Sequence, residues 1–206
     1  MSKWFNARCK ALVVASVLAL CGCDQLTGGN SGSTPEARPN PSAVVTRPDT
    51  NVDETASAEP GRDRRQWRIA SNTARDITGT VTTSTEGRGG PLMLAFANGI
   101  TVTALGEGDV RGTASIGGGQ ESFAARMNAD PSAKIYLYRV TDEQLSPSAA
   151  RGGGLCGERR ATHIAVSEFV GSSGNWVLRV ASFNGQVTPG GAENPGLCNA
   201  FQYSAP

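Results

Sequence analysis

The sequence predicts an all-β domain, a small antiparallel barrel or sandwich, behind a disordered N-terminal tether. Three observations predict it. First, short runs rich in β-branched and aromatic residues are broken by turn residues from about Gln66 onward. Second, Asn98-Gly99 stands between two apolar runs, a hairpin signal. Third, Gly reaches 26 and Pro 11 while aromatics are only 6%, so part of the chain has too little apolar surface to fold. The whole is 206 residues, enough for one domain and a tail. It divides into 1–22, 23–65 and 66–206.

Residues 1–10 carry Lys3, Arg8 and Lys10 and no acid, and residues 11–20 are apolar but for Ser16. A basic segment followed by an apolar one of about 7–15 residues is a secretory signal peptide, and it falls short of the ~20 apolar residues that a spanning helix needs. The run ends Leu20-Cys21-Gly22-Cys23. These residues resemble the lipobox of bacterial lipoproteins. The resemblance implies diacylglyceryl transfer to the Cys23 thiol and cleavage after Gly22, a step that requires the sulfur nucleophile. Cys21 is the poorer acceptor, because Val17, Leu18 and Ala19 do not put small residues before it as Gly22 does for Cys23. Two or more acyl chains, at about 0.8 kcal/mol per buried methylene, anchor a protein without any spanning segment. Asp24 follows. In the enterobacterial lipoproteins that this resembles, Asp there implies retention at the inner membrane, the alternative being the inner leaflet of the outer membrane.

Residues 24–62 contain no aromatic and include Pro35, Pro39, Pro41, Pro48 and Pro60. As a random coil such a linker reaches roughly 35 Å, holding the domain clear of the headgroups. Arg62, Arg64, Arg65 and Arg68 form a basic cluster at its end, read as a solvated boundary.

In the domain, strands are predicted at 67–70, 77–83, 92–97, 100–105, 121–126, 135–140, 162–169, 176–183 and 199–203. A two-residue type I′ turn at Asn98-Gly99 would pair Phe96 with Thr101, Leu94 with Thr103 and Leu92 with Leu105. Both faces of that hairpin would then be apolar or small. Asn184-Gly185 reads as the turn of a second hairpin, with Trp176, Leu178 and Val180 on one face of its first arm. Thr141-Asp142-Glu143-Gln144 fits a capping box, which Pro147 limits to a turn or two of helix. The glycine-rich stretch 106–112 lacks the Lys-Ser/Thr of a phosphate loop and reads as a hairpin turn. Gly117-Gly118-Gly119 reads as a flexible connection.

Cys9 and Cys21 leave with the signal peptide and Cys23 takes the lipid, so Cys156 and Cys198 remain as an even pair in an oxidising compartment. A bridge between them would close a loop of about 42 residues and contribute about 4 kcal/mol. Free thiols or a metal pair are the rival reading, with no His or further Cys nearby to complete a metal site.

Nothing selects a catalytic residue. His163, the one histidine, shares a strand face with Ala165 and Ser167, and no G-x-S-x-G elbow offers it a nucleophile. Glu107, Asp109, Glu121, Glu158 and Glu168 are acids from which a glycoside-cleaving pair could be drawn, but spacing along the chain says nothing of their separation. With 19 basic against 18 acidic residues, the chain lacks the basic excess of a nucleic-acid binder. No cofactor or metal is expected.

The segments Gly154-Leu155-Cys156-Gly157, His163-Ile164-Ala165-Val166, Val180-Ala181-Ser182-Phe183 and 197–203 resemble uncharacterised proteobacterial exported proteins, over roughly the last quarter of the chain. The run from Leu92 to Leu105 resembles strands of the small β-barrel inhibitors of C-type lysozyme, which are often lipoproteins. Their Ser-Gly-rich loop followed by an aromatic pair is not matched; only 112–123 could stand in for it. The reading that follows is a lipid-anchored periplasmic binding or interaction module, with an envelope protein or glycan as partner and no catalysis. Its alternatives are a lysozyme-inhibitor-like lipoprotein and an envelope hydrolase.

Overall fold

A computed structural model describes residues 57–86, 90–149 and 152–206. The predicted signal segment, Cys23, Asp24 and the predicted tether as far as residue 56 lie outside the described residues. The elements are β1 (Ser57–Ala58), β2 (Arg65–Ile69), β3 (Val81–Thr85), β4 (Leu92–Phe96), β5 (Ile100–Arg111), α1 (Phe123–Met127), β6 (Lys134–Leu145), β7 (His163–Val170), β8 (Trp176–Phe183) and β9 (Leu197–Ser204). From β2 to β9 each strand pairs antiparallel with the next. Strand β9 returns to β2 and closes an eight-stranded up-and-down barrel. Closure leaves the ring without an unpaired edge.

Alternation along the strands fills the interior. Leu92, Leu94 and Phe96 of β4 face inward with Ile100, Val102 and Ala104 of β5, Ile164 and Val166 of β7, and Leu178 and Val180 of β8. Trp67, Val81, Phe201 and Tyr203 complete the packing. An eight-stranded barrel is about wide enough for its own side chains or one small ligand, and here the side chains occupy it. Buried polar tips are partnered inside: Trp67 Nε1 donates to Thr83 Oγ1 (3.0 Å), and Tyr203 Oη lies 2.7 Å from Thr78 Oγ1. One end is plugged by the chain between β6 and β7, whose Ala149, Leu155 and Ala161 join the core. Glu143 holds that plug: its buried carboxylate accepts from Leu155 N (2.7 Å) and Ala161 N (2.9 Å).

A second core lies outside the barrel wall. The β5–β6 connection carries α1 over the outer face of β6, β7 and β8, where Ile116, Phe123 and Met127 bury against Ile135, Leu137, Ala165, Ala181 and Phe183. This explains why β7 is buried on both faces.

Several local expectations are corrected. The β4–β5 register is Leu92 with Ala104, Leu94 with Val102 and Ala95 with Thr101, one residue away from the two-residue-turn pairing. The turn has three residues: Gly99 N bonds Phe96 O, and Gly99 takes φ +94°, the bulge position of a three-residue loop. The slip matters because it brings the apolar residues of both strands to one face. The predicted strand 77–83 begins only at Val81. Residues Ala74–Thr78 form a π-helical turn, with Gly79 N bonded to Ala74 O and Gly79 at φ +73°. The predicted strand 121–126 is α1: Ser122 caps it through Ala125 N, and Phe123, Ala124 and Met127 make its buried side. The capping-box segment at 141–144 is strand, because β6 keeps pairing with β5 as far as Leu145. There Thr141 is the extra residue of a bulge, and Glu143 uses its carboxylate on the plug instead of on a helix start. The stretch 106–112 is strand through Arg111, kinked by a bulge at Glu107. Asn184-Gly185 opens a longer connection to β9, so it is no two-residue turn.

Candidate functional site

The site begins with a segment that crosses one mouth of the barrel. Ser57 and Ala58 pair with Phe169 and Glu168 at the end of β7. The chain then runs across to β3, where Thr85 Oγ1 donates to Gly61 O (3.1 Å). Pro60 and Gly61 are buried there. Gly61 takes φ +74°, and a Cβ on it would press on Leu92 and the backbone of Ser84, so only glycine lets this strap lie so close. Glycine at 61 and proline at 60 read in sequence as tether punctuation, and nothing local distinguishes them from it.

Under the strap sits Glu168, 5% exposed. Arg65 Nη1 reaches its Oε1 at 2.8 Å, and the Arg65 guanidinium lies between the rings of Trp67 (5.2 Å) and Trp176 (5.3 Å). Burial pushes the Glu168 carboxyl up to about 7; Arg65 and the Gly61 N–H pull the other way, and Asp63 adds to the rise. The carboxyl therefore titrates near neutrality, which marks the mouth as a candidate site.

Beside Glu168 a pocket of about 440 Å³ opens between the strap, Thr85 and Gly90, and the β5–β6 pair. Its lining includes the acids Glu59 and Asp109, the cation Arg139, the phenols Tyr136 and Tyr138, and the bare backbone of Gly106 and Gly108. Burial is the main cause that raises both phenol pKa values. The acids add to it: Asp109, Glu59 and Glu168 act on Tyr136, and Glu59 and Glu168 on Tyr138. Two acids, Glu59 and Asp109, and one cation, Arg139, line the pocket, and Arg139 is paired with Glu107.

The other singled-out residues fall elsewhere. The bulge at Glu107 aims its side chain at the outer face, where Oε2 is 3.7 Å from His163 Nε2 and accepts from Thr188 Oγ1 (3.0 Å). Its Oε1 is 3.3 Å from Arg139 Nε. His163 is buried, with Nδ1 at 3.1 Å from Thr162 Oγ1. That hydroxyl donates to Phe183 O (3.2 Å) and Gly185 O. Ser167 and Ser182 likewise give their hydroxyl protons to the Lys134 and Leu155 carbonyls. The geometry makes His163 a tie between β5, β7 and the β8–β9 connection. Glu121 and Glu158 are exposed in separate connections. Cys156 and Cys198 are bridged, with Cα atoms 5.2 Å apart. Among the described residues no group of His, Cys, Asp or Glu could hold a metal ion.

Reading the sequence found Asp109 and Glu168 only as members of a pool of acids. It read Arg65 as part of a solvated boundary, where the structure pairs it with buried Glu168, and Trp176 only as a strand-face residue; it missed Glu59, Trp67, Tyr136 and Tyr138. The spacing of Tyr136 and Tyr138 was a usable signal, since it puts two phenols on one face at the end of a strand. Comparison with family models, curated proteins and solved structures finds no match for this chain.

Proposed function

We propose that the protein is a lipid-anchored envelope protein whose barrel acts as a binding module, with its site at the strapped mouth. The filled interior carries this reading: it leaves ligand recognition to the surface, and the mouth pocket joins a cavity of ligand size to convergent polar groups. The Cys156–Cys198 bridge supports an oxidising compartment, and the residues around Cys23 support the anchor. The test is photo-crosslinking in intact cells. A photoreactive residue at Leu105, 41% exposed on the pocket rim, should give a discrete adduct that the same residue at exposed Asp76 does not. Equal labelling from both positions, or none from Leu105, would remove the mouth as the binding site.

A further inference from the structure

We propose that the mouth pocket binds a single alkylammonium or guanidinium group, carried by a small free amine or by a basic side chain of a peptide. The inference rests on the binding reading above and names the chemistry of its ligand.

Charge is the first argument. Among the described residues Arg65 pairs with Glu168, and Arg139, which also lines the pocket, pairs through Nε with Glu107 (3.3 Å). Glu59 and Asp109 form none there, yet both face the same cavity. Two unpaired carboxylates on one pocket are met most favourably by a cation with several N–H donors.

Tyr138 is the second and independent argument. It is 6% exposed and lines the pocket. Its hydroxyl has no hydrogen-bond partner among the described residues. Every fully enclosed side-chain polar atom there is partnered, so this oxygen opens onto the pocket. Open to solvent, this hydroxyl is free to take a ligand as its partner in place of water. Held neutral, it offers a lone pair to an N–H donor, while the Tyr136 ring supplies an aromatic face.

Shape is the third. Gly106 and Gly108 leave part of the lining without side chains, and a Cβ at Gly108 would meet nothing within 4 Å. The open space suits a slim alkyl stem, with Leu105 at the rim to cover it.

The test is calorimetric titration of the full chain in nonionic detergent, at low salt and pH 7.5. The probes are n-butylamine and Nα-acetyl-lysine amide, with n-butanol and Nα-acetyl-norleucine amide as uncharged counterparts. Both cations should bind saturably and their counterparts should not. Glu59→Gln and Asp109→Asn, at exposed side chains, should each weaken binding about tenfold. Tyr138→Phe should weaken it a few-fold, and Gly106→Val, which fills that part of the lining, should abolish it. Circular dichroism and melting would confirm that each variant is folded. A much tighter lysine amide assigns the group to a peptide side chain; equal affinities assign it to the free amine. No binding of either cation up to about 10 mM, equal binding of the uncharged probes, or binding unchanged by both acid variants would overturn the proposal. If the cations fail while the Leu105 crosslink persists, the ligand chemistry is wrong and the binding reading stands.

Discussion

Glu168 and Glu143 are both buried carboxylates, yet they do opposite things. Glu168 meets one guanidinium and one N–H under the strap, which does not offset its desolvation, and its carboxyl rises from 4.5 to about 7. The folded state therefore holds this proton more tightly than the unfolded chain. Its contribution to stability is full below about pH 4.5 and is lost as pH rises through about 7. Urea unfolding should show the protein more stable at pH 5 than at pH 8, by up to about 3 kcal/mol from this group. Glu168→Gln should flatten that difference; an unchanged slope would place the titration elsewhere. Glu143 receives two backbone N–H donors and serves the plug. Glu143→Ala strands both donors at the buried end of the barrel. We expect a loss of about 2–4 kcal/mol in the same unfolding assay. A loss below about 0.5 kcal/mol, the usual range of a surface change, would mean that water replaces the carboxylate.

The β4–β5 hairpin shows how an element can be legible while its register is not. Both strands and the turn residues Asn98 and Gly99 stand out in the sequence. The number of loop residues was decided by what the two strands could bury together: with three, six apolar side chains share the core. Gly99 makes this loop possible at φ +94°, and a Cβ there would strike Ser146. Gly99→Val should cost about 1–3 kcal/mol and lower the melting temperature. An unaffected melt would show that the loop can reset to two residues. The helix α1 was misread for a related reason. Phe123, Ala124 and Met127 have helical spacing, but five residues are too few for a period to declare itself. The capping-box pattern at 141–144 is a local preference that long-range pairing with β5 overrode.

For the whole molecule, the bridge and the proposed anchor can be tested separately. The Cys156–Cys198 bond fastens Leu155, the plug residue beside it, to the start of β9, where Asn199 Nδ2 also holds the Leu155 carbonyl (2.8 Å). Reduction, or replacement of both cysteines by Ala, should lower stability by about 4 kcal/mol on the chain-entropy argument. A melt insensitive to reductant would mean that the hydrogen bonds alone keep the plug in place. For the anchor, Cys23→Ser should leave unprocessed precursor or soluble protein in cell fractions. Normal processing with retention in the membrane would refute lipidation at Cys23. An intact mass beginning at Cys23 with acyl groups, and heavier by two hydrogens after reduction, would establish both features at once.

The sequence by itself determined the all-β class and most of the strands, and it favoured a Cys156–Cys198 bridge over free thiols or a metal pair. Each rests on a signal confined to a few neighbouring residues or on a simple count: alternation, turn residues, and the two cysteines that fall within the predicted domain. Only the tertiary structure decided that the sheet closes on itself, that the barrel is filled, and that a strap from residue 57 onward covers its mouth. It also decided the site. Glu59, Asp109, Tyr138 and Glu168 lie in the strap and in β5, β6 and β7, far apart in the chain. Barrel closure brings these elements to one mouth, and burial there turns an ordinary glutamate into a group that titrates near neutrality. Neither closure nor burial is a property of any short stretch of sequence, so no reading of residues in order could have found it.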